Sequence, residues 1–163
     1  MRQKAADLLG FVTSLHRFIV KSGAGQDLSQ ATVQARGIEL DRRFMVVDPN
    51  GRFVTGRLLP KLTQLRSSIN HGILRLTVGR AGLDVAIPQS TDVETSVTVW
   101  RDTVPSFDAG DEVADWLTAQ FGRPLRLVYQ HETQHRWLPS QKQVTGGEEV
   151  GFADAYPMLM IGT

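Results

Sequence analysis

From Leu28 to Trp100 the chain is a succession of short apolar or alternating runs, each cut by a turn signal, and this pattern restricts it to hairpin-built β-structure. Leu28–Gly37 alternates at Ala31, Val33 and Ala35 and ends at a glycine. Arg43–Val47 and Arg52–Arg57 flank Asp48-Pro49-Asn50-Gly51, where Asn-Gly accepts the positive φ of a tight hairpin turn. Leu62–Ile69, Ile73–Val78, Leu83–Ile87 and Glu94–Trp100 continue the series, with Asn70-His71-Gly72 and Arg80-Ala81-Gly82 as turns. Pro124–Tyr129 adds one more strand. Regular short strands with turns between them predict a barrel or a sandwich.

One helix interrupts this pattern. Val113, Trp116, Leu117 and Phe121 recur at helical spacing after Asp108-Ala109-Gly110-Asp111, and Gly122 stands where the helix must stop. Acidic residues in the first turn suit the helix dipole. The sequence therefore predicts a mainly β fold, a closed or partly closed antiparallel β-barrel with one packed α-helix over 111–121. That domain is expected over 1–130, with 131–150 a polar loop or linker. The apolar stretch Phe152–Ile161 reads as the opening of a further domain over 151–163.

Composition limits the functional classes. The 163 residues are 41% hydrophobic and 21% charged, and net charge is +1, so any basic patch is local and neither nucleic acid nor membrane is an expected partner. No cysteine is present, which rules out disulfides, thiol catalysis and thiolate metal ligation by these residues. No run of roughly 18 apolar residues occurs. The start, MRQKAADLLGF, lacks the apolar core and cleavage site of a signal peptide. A cytoplasmic location is the expectation.

Three cationic clusters stand at the ends of predicted strands. Val20-Lys21-Ser22 runs into a loop with Gly23 and Gly25; an ammonium, a hydroxyl and glycine-flanked amides can cradle a phosphate, or form an ordinary solvated loop. The spacing is not that of a P-loop. Asp41-Arg42-Arg43 is either a surface ion pair worth at most about 1 kcal/mol or a guanidinium oriented by a carboxylate to grip phosphate bidentately. Arg57, ending the TGR turn, is a third candidate. If Lys21, Ser22 and Arg42 share a ligand, the fold must bring both segments to one rim and one solvent-open cleft, with Arg57 nearby. Two cations so close require an anion or carboxylate between them.

The ordered set VKSGAGQDL, GIELDRRFMVVDPNGRFVTGRLLPKL, VWRDTVPSFDAGDEVADWL and GRPLRLVY resembles the N-terminal β-barrel domain of MOSC proteins, over Val12 to Tyr129. That family includes the mitochondrial amidoxime-reducing components and the C-terminal half of molybdenum cofactor sulfurases. Phe152-Ala153-Asp154-Ala155-Tyr156-Pro157 is similar to the junction where the MOSC domain proper begins. The resemblance implies that Lys21, Ser22 and Arg42, with Arg57 alongside, contact the pterin phosphate of the molybdenum cofactor (molybdopterin). It implies a C-terminal MOSC domain as partner, carrying the cysteine that ligates molybdenum and the oxidoreductase or sulfur-carrier chemistry, with a redox partner protein beyond it. On that reading this chain alone neither catalyses nor holds the cofactor tightly. The alternative is a stand-alone, non-catalytic β-barrel binding module. Phe18-Ile19 stands where the family usually has a Tyr-Pro-like pair.

Two other features are read as structural. His131-Glu132-Thr133-Gln134-His135 matches a zinc-peptidase pattern, but that chemistry needs both histidines on one helical face, and this pentapeptide follows a strand and runs into Arg136-Trp137-Leu138-Pro139. A solvated loop is expected. Trp100 and Trp116 are expected to pack in the core. No Gly-x-Ser-x-Gly elbow is present.

Overall fold

Residues 11–162 are described by a computed structural model of the chain. Eleven short strands and one α-helix follow in the order β1 (Leu15–Arg17), β2 (Gln26–Leu28), β3 (Val33–Gln34), β4 (Gly37–Ile38), β5 (Phe44–Val47), β6 (Arg66–Asn70), β7 (Ile73–Val78), β8 (Ala81–Ala86), β9 (Glu94–Val99), β10 (Asp102–Asp108), α1 (Asp111–Phe121) and β11 (Arg126–Tyr129). All strand pairings in the sheets are antiparallel. They form a four-stranded sheet β5-β11-β10-β9, a three-stranded sheet β6-β7-β8, and two small hairpins, β1-β2 and β3-β4. The mainly β fold with one helix is as expected; of the closed or partly closed barrel, the closed form is not borne out, because among the described residues the strands form four sheets and none closes on itself.

The four-stranded sheet carries a core on each face. In β5 successive residues alternate between them: Phe44 and Val46 enter the larger cluster with Leu74, Leu76, Leu117, Leu127 and Tyr129, whereas Met45 and Val47 join Val97, Val99, Val104, Val128 and Phe152. Period-two geometry produces this division, because adjacent side chains of a strand point to opposite faces. β7 shows the one-sided version, with Leu74, Leu76 and Val78 buried and the residues between them more exposed.

α1 buries Val113, Ala114, Leu117 and Phe121 and begins with Asp111 and Glu112. Its N-cap, Gly110, has no side chain to cap with, so Asp108 substitutes: Oδ1 accepts the Gly110 N–H at 2.8 Å, and Arg126 bridges Asp108 and Asp111. Gly122 ends the helix in the left-handed conformation, φ +72°.

Four local readings change. Leu28–Gly37 is divided among the end of β2, β3 and the start of β4 rather than forming one strand. Residues 60–64 form a 3₁₀ turn opened by Pro60 in place of the first half of a Leu62–Ile69 strand. Arg52–Arg57 makes only single bridges, at Arg52 to Thr98 and Phe53 to Val47, although the Asp48–Gly51 turn before it forms as expected. β10 was hidden by Pro105. The proline is accommodated because β10 pairs with β9 from Asp102 to Phe107 but with β11 only at Phe107 and Asp108, so position 105 lies on a locally open edge.

After β11 the chain crosses back over the second core. A bridge joins Trp137 to Glu149, and Leu138, Val150 and Ala153 form a small apolar cluster. Phe152 is fully buried, and its N–H donates to the Arg42 carbonyl at 2.8 Å. Two glycines permit this approach. A Cβ on Gly151 would lie 2.8 Å from the Arg42 oxygen, and one on Gly37 (φ +101°) only 2.5 Å from the Pro157 oxygen. No helix among the described residues is long and apolar enough to cross a membrane.

Candidate functional site

Lys21 and Arg42 are set by one piece of local pairing. Residues 18–21 run beside 42–44, with Arg42 N donating to Phe18 O (2.6 Å), Phe44 N to Ile19 O (3.1 Å) and Lys21 N to Phe44 O (2.8 Å). Asp41 Oδ1 accepts the Phe18 N–H at 2.7 Å, and Asp41 Oδ2 accepts Arg42 Nε–H at 2.6 Å. The Asp41 carboxylate therefore fixes both the strand entry and the guanidinium.

Both cations face the segment Phe152–Pro157. Lys21 Nζ donates to the Phe152 carbonyl at 2.8 Å and to Asp154 Oδ1. Arg42 Nη2 donates to the Pro157 carbonyl at 2.8 Å. Lys21 is only 5% exposed, so the solvent-open placement expected for its amine is corrected: the chain's own residues 152–154 cover it. The anion that such crowding requires is Asp154.

Arg57 joins the group through aromatic rings. Its guanidinium lies 5.7 Å over Trp100, whose ring is 5.0 Å from Phe53, and Lys21 Nζ is 5.7 Å from the Phe53 centroid. Trp100 Nε1–H donates to the Asp154 oxygen that Lys21 holds, at 3.0 Å. Trp100 is 47% exposed, which corrects its expected place in the core. It sits at the β9–β10 turn and its indole belongs to the site. Trp116 does pack against the larger core. Ser22 lies beside Gly56, with a Cβ on that glycine 3.9 Å from its own.

Backbone strain concentrates here. Among the described residues five non-glycine positions have positive φ, and three of them are Ser22 (+63°), Arg42 (+50°) and Trp100 (+57°). Such conformations cost on the order of 1 kcal/mol or more each and persist where surrounding contacts hold them.

The electrostatics follow from burial and pairing. Burial lowers the Lys21 ammonium pKa, Asp154 opposes that through its hydrogen bond and charge, and Arg136 and Arg42 add repulsion. For Asp154, partial burial pushes the pKa upward, but the bonds from Lys21 and Trp100 and the nearby cations outweigh it, and the carboxyl is held below its ordinary value. A carboxyl with a lowered folded pKa contributes stability above the ordinary carboxylate range, and that contribution disappears as pH falls through the folded value. Acidification from about pH 6 to about pH 3 is therefore expected to free residues 150–157 before the core melts. Limited proteolysis across that range, with far-UV circular dichroism as the control, tests it. Equal resistance at both ends would remove Asp154 as the clasp.

Arg136 was missed by sequence reasoning, since nothing local marks it. It is buried, grips Asp102 through Nε and Nη2 at 2.9 and 2.7 Å, and donates to the Gly151 and Ala153 carbonyls at 3.1 and 2.6 Å. Arg43 is likewise buried and donates twice to the Gln130 carbonyl, at 2.9 Å from Nε. The histidine pentapeptide is non-helical, as expected. His131 Nδ1 pairs with Thr133, whereas His135 Nδ1 meets Glu149 Oε2 at 2.8 Å, next to Arg36. The two rings do not converge.

The sequence profile of the MOSC N-terminal beta barrel domain matches residues 9–124. The chain belongs to this family. Similar proteins include mitochondrial amidoxime-reducing component 1 of Danio rerio, 27% identical over 98% of this chain and 52% of that protein. Molybdenum cofactor sulfurase of Homo sapiens is 27% identical over 77% of the chain and 15% of the relative, and that of Drosophila grimshawi 32% over 88% and 20%. The chain thus spans about half of the first relative and a fifth or less of the sulfurases. The solution structure of a protein from Bordetella bronchiseptica matches with TM-score 0.50 and 23% identity, over 65% of this chain and 92% of that one, which is a likeness of fold. The MOSC N-terminal domain is therefore shared by proteins that are named for amidoxime reduction and for molybdenum cofactor sulfuration.

Proposed function

We propose that this MOSC N-terminal domain supplies the oxyanion-holding half of a molybdenum cofactor site, with Lys21, Ser22 and Arg42 at the pterin phosphate and Arg57 beside them. The observation that carries this reading is the convergence of Lys21 Nζ and the Trp100 N–H on one carboxylate oxygen of Asp154, with Arg42 close enough to act on the same charge. A carboxylate and a phosphate present the same kind of acceptor oxygens, so the donor set fits the group. Arg42 Nη1 has no hydrogen bond among the described residues and retains its N–H donors for a second anion. The Asp41 carboxylate orients the guanidinium, and the burial around Lys21 strengthens any charge it meets.

When bound, the cofactor would supply the redox or sulfur-transfer chemistry. The residues here would bind its phosphate and exclude water from it. The metal thiolate and reaction centre would lie in a C-terminal MOSC domain, and a redox partner would act on that domain. The location is cytoplasmic on this reading, and the isolated chain is not an enzyme.

In the two-domain protein, Arg42→Ala is expected to lower cofactor affinity by about 10–100-fold, the scale of one lost charged hydrogen bond. Pterin and molybdenum content after gel filtration measures it. Full retention in the variant would sink the assignment. A second reading is supported by the bonds that Lys21 and Arg42 make to residues 152–157, in which both cations only fasten that segment. It would be chosen by a variant that loses stability and keeps its cofactor.

A further inference from the structure

Gln130 is completely buried, at 0% exposure, yet neither its amide nitrogen nor its amide oxygen meets a hydrogen-bond partner among the described residues. Three buried side-chain polar atoms there are left unpartnered, and this one amide supplies two of them. Buried amides are almost always paired, because taking them out of water without replacing their bonds is costly. An unpaired one marks a place that calls for a ligand.

The strand pattern places the amide beside a second polar group. In β11, Val128 faces the second core, and Gln130 follows it by two residues on the same side. In β10, Val104 faces that core, and Ser106 follows by two. β10 and β11 pair only at Asp108–Val128 and Phe107–Tyr129, so Ser106 and Gln130 are the next residues on each strand. Ser106 is also 0% exposed, and its hydroxyl makes a single contact, to the Val104 carbonyl at 3.5 Å. That distance is beyond the usual range of a hydroxyl hydrogen bond.

The two strands part company at this point. β11 stays with β5, where Gln130 N–H donates to Arg43 O at 2.9 Å, while β10 stays with β9 and pairs Ser106 with Thr95. Pro105, beside Ser106, has no N–H to offer across the junction. Later parts of the chain cover both ends of it. Gln134, 4% exposed, donates to Glu94 Oε2 at 3.2 Å, and a Cβ on Gly151 would lie 3.5 Å from Arg43 Cδ.

The unused bonds define the ligand. An amide offers two N–H donors and an oxygen that accepts, and a hydroxyl both donates and accepts. A cation would leave the N–H groups unmet, and an anion would leave the carbonyl oxygen unmet. A small neutral molecule that donates and accepts satisfies both. We propose that a water molecule is built into the fold where β10 leaves β11, bridging the Gln130 amide and the Ser106 hydroxyl. It replaces the ladder bonds that end there and makes the junction a polar rung inside an otherwise apolar face. The site uses none of Lys21, Ser22, Arg42 or Arg57, and it stands whether or not the cofactor reading does.

Two measurements on the intact chain test it. A high-resolution crystal structure is expected to show a water within about 3.2 Å of both the Gln130 amide and Ser106 Oγ. In solution, water-selective ROE spectra are expected to show a long-lived water at the Gln130 side-chain N–H protons. Gln130→Met, which keeps the volume and removes the amide, is expected to lose the water from the crystal density. The proposal is overturned if the native amide has no water beside it, if it bonds directly to a protein group, or if its only water contacts are the short-lived ones of an exposed side chain. It is also overturned if the water persists in Gln130→Met, because other groups would then hold it.

Discussion

Phe152→Ala is expected to destabilise the chain by about 3–5 kcal/mol, the cost of removing a fully buried phenyl group without collapse of the space it leaves. Phe152 is fully buried among Met45, Val47, Val97, Val99, Val104 and Val128, which come from β5, β9, β10 and β11. For a domain of this size that loss corresponds to a fall of roughly 10 °C in Tm. Denaturant melts monitored by circular dichroism measure it. A shift under about 1 kcal/mol would mean that residues 151–157 are not part of this core in solution. Through Phe152 this segment packs against the strands before it.

Arg136→Ala comes next, with an expected loss of roughly 3 kcal/mol. Four hydrogen bonds end on this guanidinium, two to the Asp102 carboxylate and two to the Gly151 and Ala153 carbonyls. The estimate stays well below their sum because the Asp102 side chain is 46% exposed and regains water. The carbonyls are the costly part, since they lie under the segment and lose their donor. Arg136→Lys should recover little, because an ammonium cannot span a carboxylate and two carbonyls at once. Parallel melts of the two variants and of Asp102→Asn decide it. If Asp102→Asn costs as much as Arg136→Ala, the ion pair rather than the carbonyl bonds carries the effect.

These two residues also show where sequence reasoning works and where it stops. Turn and helix chemistry is local, so the Asp48–Gly51 turn and the Asp111–Phe121 helix are legible in a few adjacent residues. The candidate cations Lys21 and Arg42 are legible as residue types at strand ends. Their partners are not: Asp154 lies 133 residues from Lys21 and 54 from Trp100. Trp100 has the composition of a core residue, and only the left-handed turn between β9 and β10 turns it outward. Sheet closure is a question of pairing between distant strands, and hairpin spacing does not report on it.

β5 separates two cores, and that arrangement has a consequence for how the chain finds its pairing. A strand with one wet face cannot slip by one residue without turning its apolar side to water. Phe44–Val47 is buried on both faces, so a slip would merely exchange Phe44 and Val46 with Met45 and Val47 between two greasy compartments. Hydrophobicity is nearly blind to that error, and another device must select the alignment. Arg43 and Gln130 provide it at the mouth of the strand: Gln130 N–H donates to Arg43 O at 2.9 Å while the Arg43 guanidinium returns two bonds to the Gln130 carbonyl. One polar pair thus acts as the keyway that lets β5 and β11 mate in a single position.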